Sequence, residues 1–272
     1  RALSRPYMQE RREEIMKGAA RELAELKRLQ RKDGGWNYYN FIPYSASFLT
    51  AATLVNLCAA KNLGCDVDSG MIEKAKEFIA SVKFGKGTYM YSPGGGSENI
   101  KNRSFSPVGA SARSPLCELS LLAASAGDRD SLRQAIQNFI TYQPILKELR
   151  KGSRAERTHT GQGRTAPYYY MFGHYWTTRC INQMPRTNWA SLKNMMYGAI
   201  VGSQSPDGTF QDFTGTKAFK VYATALGVLT MHELICAEPD PAFTPAGAPK
   251  TALTTDKEKA PEEKMQTPTT KK

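Results

Sequence analysis

Three groups of residues carry types and spacings that could do chemistry. The first is Asp66-Val67-Asp68-Ser69, the nearest string to a carboxylate cluster that could donate a proton. A proton donor of that kind is a buried acid with a raised pKa. This string sits in a polar stretch just ahead of an amphipathic helix, so Asp68 or Ser69 reads as the N-cap of a helix starting near Met71. The second group is His232 and Cys236, four apart on one helical face. They could be two soft metal ligands, but no third or fourth is visible, and the expectation is satisfied core residues with no metal. The third is Tyr168-Tyr-Tyr-Met-Phe-Gly-His174-Tyr175-Trp176. On one helix, Met171, His174, Tyr175, Thr178 and Asn182 share a face, with Tyr170 one turn before His174. Such a face fits either a hydrogen-bonded core cluster or the wall of a ligand cavity. Tyr170, His174, Tyr175, Asn182 and Arg113 form the candidate ligand-binding set, and no cofactor motif accompanies them.

The elements that must position these residues are helices, organised as a repeat. Gln30-Arg-Lys-Asp33-Gly34-Gly35-Trp36 recurs as Gln204-Ser-Pro-Asp207-Gly208-Thr209-Phe210, and the same offset of 174 carries Thr50-Ala51 onto Thr224-Ala225. Lys83, Gly87 and Tyr89 are a degenerate copy between them; a fourth copy is suggested only by helix pairing. In each copy a helix ends at the Gln, a Gly breaks it by supplying the left-handed backbone conformation, and an apolar helix of small residues follows. Ser and Thr at the start of that second helix are expected to cap its free N–H groups. Charge is sparse on the second helices and periodic on the first, as in Met71 to Ile79, which predicts buried inner and amphipathic outer helices. The reading is all-α, with eight helices over 8–32, 46–62, 71–83, 113–126, 130–146, 168–184, 189–204 and 218–235, and no competing strand pattern. Gln30, Asp33, Gly34 and Trp36, with Gln204, Asp207, Gly208 and Phe210, are read as structural: the amide bonds free helix ends and the ring packs beside it.

Composition bounds the rest. The 272 residues are 40% hydrophobic, enough for a sizeable core. The net charge is +12, and residues 237–272 contain equal numbers of acids and bases, so the excess lies on 1–236. Solvated helix faces explain it most simply; signatures of nucleic-acid binding are missing, so nucleic acid is not an expected partner. Five scattered cysteines outline neither a disulfide framework nor a zinc knuckle. No apolar run is long enough to cross a bilayer. Residues 237–272, rich in Pro, Thr, Lys and Glu, read as a disordered tail after a folded unit of 1–236.

The repeat grammar resembles that of squalene-hopene cyclases and the wider superfamily of terpenoid cyclases and protein prenyltransferases, over about residues 10–236. The resemblance implies an α/α toroid in which inner helices surround a central cavity. Twelve helices close such a toroid and eight are visible here. That implies a partial toroid of about four outer/inner pairs, or a missing N-terminal portion, with the open edge covered by a protein partner, an oligomer or Tyr7, Met8 and Ile15. The catalytic motifs of the superfamily are not matched. Asp66 to Ser69 lacks the last Asp of the cyclase Asp-x-Asp-Asp motif, no Cys has the Asp-x-Cys spacing of the prenyltransferases, and the Asp-rich magnesium motif is missing. The leading expectation is a non-catalytic binding or scaffold protein. Its inner-helix N-termini, with Arg103 and Arg113, would favour an anionic or polar ligand or partner. The alternative is an enzyme acting on an isoprenoid, or a lyase of acidic polysaccharides using Tyr170, His174, Arg179 and Asn182, as other α/α toroids use such residues.

Overall fold

The computed structural model describes residues 11–39, 41–93, 107–150, 169–212, 219–236, 240 and 242–243. Eight helices of ten residues or more run through them: α1 (Arg12–Leu29), α2 (Ser47–Asn62), α3 (Ser69–Ser81), α4 (Ser114–Ala123), α5 (Arg129–Leu149), α6 (Tyr169–Ile181), α7 (Trp189–Val201) and α8 (Lys220–Cys236); a single helical turn spans Pro107–Ala110. The protein is all-α, as its sequence implies. The even-numbered helices form an inner arc in the order α2, α4, α6, α8, and the odd-numbered ones lie outside it. The outer helix α3 packs on both α2 and α4, α5 on α4 and α6, and α7 on α6 and α8. Charge patterning explains the division. On α1 no residue is buried, Glu13 and Glu14 stand in the first turn and Lys27 and Arg28 in the last, each at the end its charge suits. On α4 every residue from Ser114 to Leu121 is buried.

The recurring heptapeptides close identical turns. Gln30 Nε2 donates to the Gly34 carbonyl at 2.8 Å, and Gln204 Nε2 to the Gly208 carbonyl at 2.9 Å. The Trp36 N–H donates to Thr50 Oγ1 at 3.0 Å, and the Phe210 N–H to Thr224 Oγ1 at 3.1 Å. Gly34 and Gly208 have φ of 90° and 81°. Trp36 and Phe210 are both buried at 4% exposure. The hydroxyls at the start of α2 do not cap that helix, contrary to expectation: Ala46 is its N-cap, without a side-chain bond. Instead Ser45 Oγ donates to Asp33 Oδ1 at 2.6 Å, and Thr50 receives the turn's own N–H, so the hydroxyls lace turn to helix.

The degenerate copy also departs from expectation. Lys83–Gly85 and Thr88–Tyr89 pair as a two-stranded antiparallel ribbon, with Lys83 opposite Tyr89. Three and two residues are too few to leave an alternating pattern. The replacement of Gln by Lys83 has a physical reason. Its ammonium lies 2.9 Å from Oε1 of Glu118 on α4, whose side chain is fully buried, and a buried carboxylate needs a cation beside it. The region where a fourth copy would fall, 151–168, lies outside the described residues, as do Tyr7, Met8 and Arg103.

Each turn glycine meets the next outer helix in line, until the line stops. A Cβ on Gly34 would lie 2.3 Å from the Lys74 carbonyl oxygen of α3, and one on Gly87 would lie 2.6 Å from the Ala135 nitrogen of α5. A Cβ on Gly208 meets nothing nearer than 3.9 Å. Gly34→Ala and Gly208→Ala therefore share the left-handed backbone cost of about 1–2 kcal/mol, but the clash falls on Gly34 alone. Gly34→Ala is expected to be more destabilising by about 1–3 kcal/mol in urea unfolding. Equal losses would contradict the packing of this turn on α3.

Candidate functional site

The polar-aromatic residues singled out in the sequence lie on α6, and the structure divides them. Tyr170 and His174 face the outer layer and are fully buried. Tyr170 Oη bonds Gln143 Nε2 at 3.0 Å and Ser203 Oγ at 2.9 Å, and the Arg150 guanidinium lies 4.4 Å from the centre of its ring. His174 Nδ1 lies 2.7 Å from the Tyr170 carbonyl oxygen; a carbonyl only accepts, so Nδ1 carries the proton. The Phe139 ring stands edge-on to the imidazole at 5.0 Å. Burial lowers the His174 pKa to about 4, so the ring is neutral at physiological pH. This is a packed, hydrogen-bonded cluster. Asn182 is elsewhere, bonded through Nδ2 to Glu233 of α8. Arg113 is buried on α4's N-terminal side, where it donates to the carbonyls of Tyr89 and Gly109.

The opposite face of α6 carries the feature that the sequence reading missed. Phe172, Trp176 and Arg179 follow at i, i+4 and i+7, with Tyr175 beside them. Phe172 meets Phe48 of α2 edge-on at 5.9 Å. Since α4 lies between α2 and α6 in the arc, that contact is on its concave side. From Phe48 the rings continue outward through Tyr38 at 6.3 Å, Tyr39 at 4.5 Å from Tyr38, and Phe41 at 5.0 Å from Tyr39. Inward they continue through Phe172 to Trp176 at 6.2 Å and Tyr175 at 5.0 Å. Tyr91 closes one side, 5.8 Å from Phe48, with its hydroxyl 3.0 Å from that of Tyr38. The result is an aromatic ladder running from Phe41, 81% exposed, to the buried Trp176.

Arg179 ends the ladder, its guanidinium 4.7 Å from the Trp176 ring centre. It forms a buried ion pair with Asp240, donating to Oδ2 from Nε at 3.0 Å and also from Nη2. Asn62 at the end of α2 donates to the Ala242 carbonyl at 3.1 Å, and Phe243 packs against the core. Asp240 and Ala242 thus bind α6 and α2, inside the segment read as tail.

Against known proteins, the squalene-hopene cyclase C-terminal domain family matches residues 6–189. The chain belongs to that family. No curated protein and no solved structure matches it significantly.

Within this family the acid motif is the natural place to look for catalysis, and Asp68 has the opposite properties. Its carboxylate caps α3, accepting from the Gly70 N–H at 2.7 Å, and pairs with Lys27 at 2.7 Å. The Lys27 bond, then the Gly70 N–H, hold its pKa below the usual range, so it stays ionised. Among the described residues the carboxyl with a raised pKa is Asp212, pushed up to about 8 by burial. It accepts from the Met171 N–H at 3.1 Å, is fully buried, and has no sequence motif around it. The cysteines are free; Cys58, Cys117 and Cys180 are buried, and burial raises their pKa values. Cys236 is exposed and His232 half-buried, which corrects the expectation of core residues there. Among the described residues no group of three potential ligands could hold a metal, and no helix is long and apolar enough to cross a membrane.

Proposed function

We propose that this chain is a non-catalytic binding member of the squalene-hopene cyclase C-terminal domain family, which lays an extended, isoprenoid-like hydrocarbon along the aromatic ladder. The observation that carries this reading is the unbroken contact from Phe41 through Phe48 to Trp176. Stacked and edge-on rings give a large apolar surface with negative faces, suited to unsaturated chains. A sugar would need polar groups beside the rings, and here the hydroxyls of Tyr38 and Tyr91 bond each other. An anionic ligand is less well supported than the sequence suggested. Arg113 is committed to backbone carbonyls, and Arg179 to Asp240. The non-catalytic reading rests on Asp68, whose lowered pKa and Lys27 partner suit a cap rather than a proton donor, and on the place of Asp212, which bonds the Met171 N–H near Arg150 and Tyr170, on the side of α6 away from the ladder.

Titration with geranylgeraniol, followed by tryptophan fluorescence, tests the ligand class. Saturable quenching is expected, with affinity at least about 10-fold weaker in Phe48→Ala, since one aromatic contact set is worth about 1.4 kcal/mol or more. Absence of quenching, or equal affinity in Phe48→Ala and the parent, would refute the ladder as the site. Incubation with squalene is expected to give no cyclised product. Product lost on Asp68→Asn would reverse the non-catalytic reading.

A further inference from the structure

The end of the arc carries a surface that the aromatic ladder does not explain. Helix α8 buries Ala223, Gly227 and Thr230 against its neighbours. On its opposite side Val221, Val228, Leu229 and Ile235 are 86%, 58%, 42% and 71% exposed. Val221, Ala225, Val228, His232 and Ile235 follow at alternating steps of four and three, the spacing of a coiled-coil seam. Only two residues of α8 are charged: Lys220 at its first position, and Glu233, which is buried. A helix apolar on all sides belongs in an interior. The adjoining outer helix α7 is similarly depleted, with Lys193 its only charge, and exposes Tyr197 and Val201. The turn glycine before α8 is also the one that meets no following helix.

We infer that this face is the interface of a homodimer in which α8 packs antiparallel on α8 of a second copy. Two observations select a second copy joined face to face. A head-to-tail joint would set α8 against the α1 end of the arc, and α1 has nine charged residues, none buried, and Leu29 as its one large exposed apolar residue. Among its described residues α1 itself has no exposed apolar face to match, and the exposed rings after it, Tyr38, Tyr39 and Phe41, belong to the ladder. The α8 face does match itself, as an isologous interface requires. A two-fold axis passing between Val228 and Leu229 sets Val221 beside Cys236 of the other copy and Ala225 beside its His232. No charged side chain lies on the stripe to oppose its own copy.

The test is the mass of the full chain in solution at tens of micromolar, by light scattering after gel filtration. A dimer is expected. Val228→Asp is expected to weaken it by about 100-fold or more, because the axis brings two carboxylates together in an apolar seam. Its far-UV circular dichroism should be unchanged at so exposed a position. An independent variant, Val221→Cys, is expected to give a disulfide-linked dimer through Cys236 on mild oxidation, lost when Cys236→Ser is added. A monomer at these concentrations, a dimer indifferent to Val228→Asp, or an open series of higher oligomers would overturn the inference. The last result would indicate head-to-tail association, and a monomer would leave the face to a different protein.

Discussion

Trp36→Ala is expected to destabilise the protein by about 3–5 kcal/mol, the range for emptying a buried aromatic site. The ring is 4% exposed, and its Nε1–H donates to the Leu26 carbonyl at 2.9 Å, one of the carbonyls that the end of α1 leaves free. Truncation therefore removes packing and a helix-end bond together. The turn it closes joins three elements, since Gln30 Nε2 also donates to the Met71 carbonyl of α3 at 2.9 Å. Urea unfolding measures the loss. A change below about 0.5 kcal/mol would mean that the turn contributes little to the fold.

His174→Ala is expected to cost about 2–4 kcal/mol at pH 7 through the void left beside Phe139 and Tyr170. It should also change the pH dependence. The folded protein holds His174 neutral with a pKa lowered to about 4, whereas the unfolded chain takes up a proton near 6.5. That contribution is present in full above pH 6.5 and is lost as the pH falls toward 4, by an amount on the order of 3 kcal/mol. The parent should therefore lose stability across this window more steeply than the variant. Parallel curves would show that the imidazole titrates freely and is not enclosed. Because the site is closed, the melting temperature should fall while geranylgeraniol binding on the other face of α6 persists.

The helices were legible because the outer helices α1, α3 and α5 alternate charge and apolar residues at helical spacing, while each inner one is nearly free of charge. The turns were legible because a left-handed backbone demands Gly34 and Gly208, and the following ring must be large and apolar. The candidate site was less legible. A polar-aromatic face on α6 drew attention to His174 and Tyr170, but an inner helix is enclosed on several sides, and periodicity alone does not say which side faces the outer layer. The ladder joins Phe48 to Phe172, 124 positions apart, through a loop and two inner helices. Only the arc's geometry brings them together. The ion pair of Lys83 with Glu118 was hidden for the same reason: it joins the ribbon to α4 across a segment with no local signal.

The Arg179–Asp240 pair ties a residue beyond α8 to the centre of the arc. Proteolysis or truncation after Cys236 would leave α1 to α8 in the chain yet remove the carboxylate that ion-pairs with a guanidinium whose side chain is 8% exposed. A charge stranded in that way costs about 3–5 kcal/mol, comparable to the total margin of many small domains. The packed contacts of the chain thus extend past the last helix of the repeat. A stretch that looks like dispensable tail contains the counter-ion for the centre of the arc.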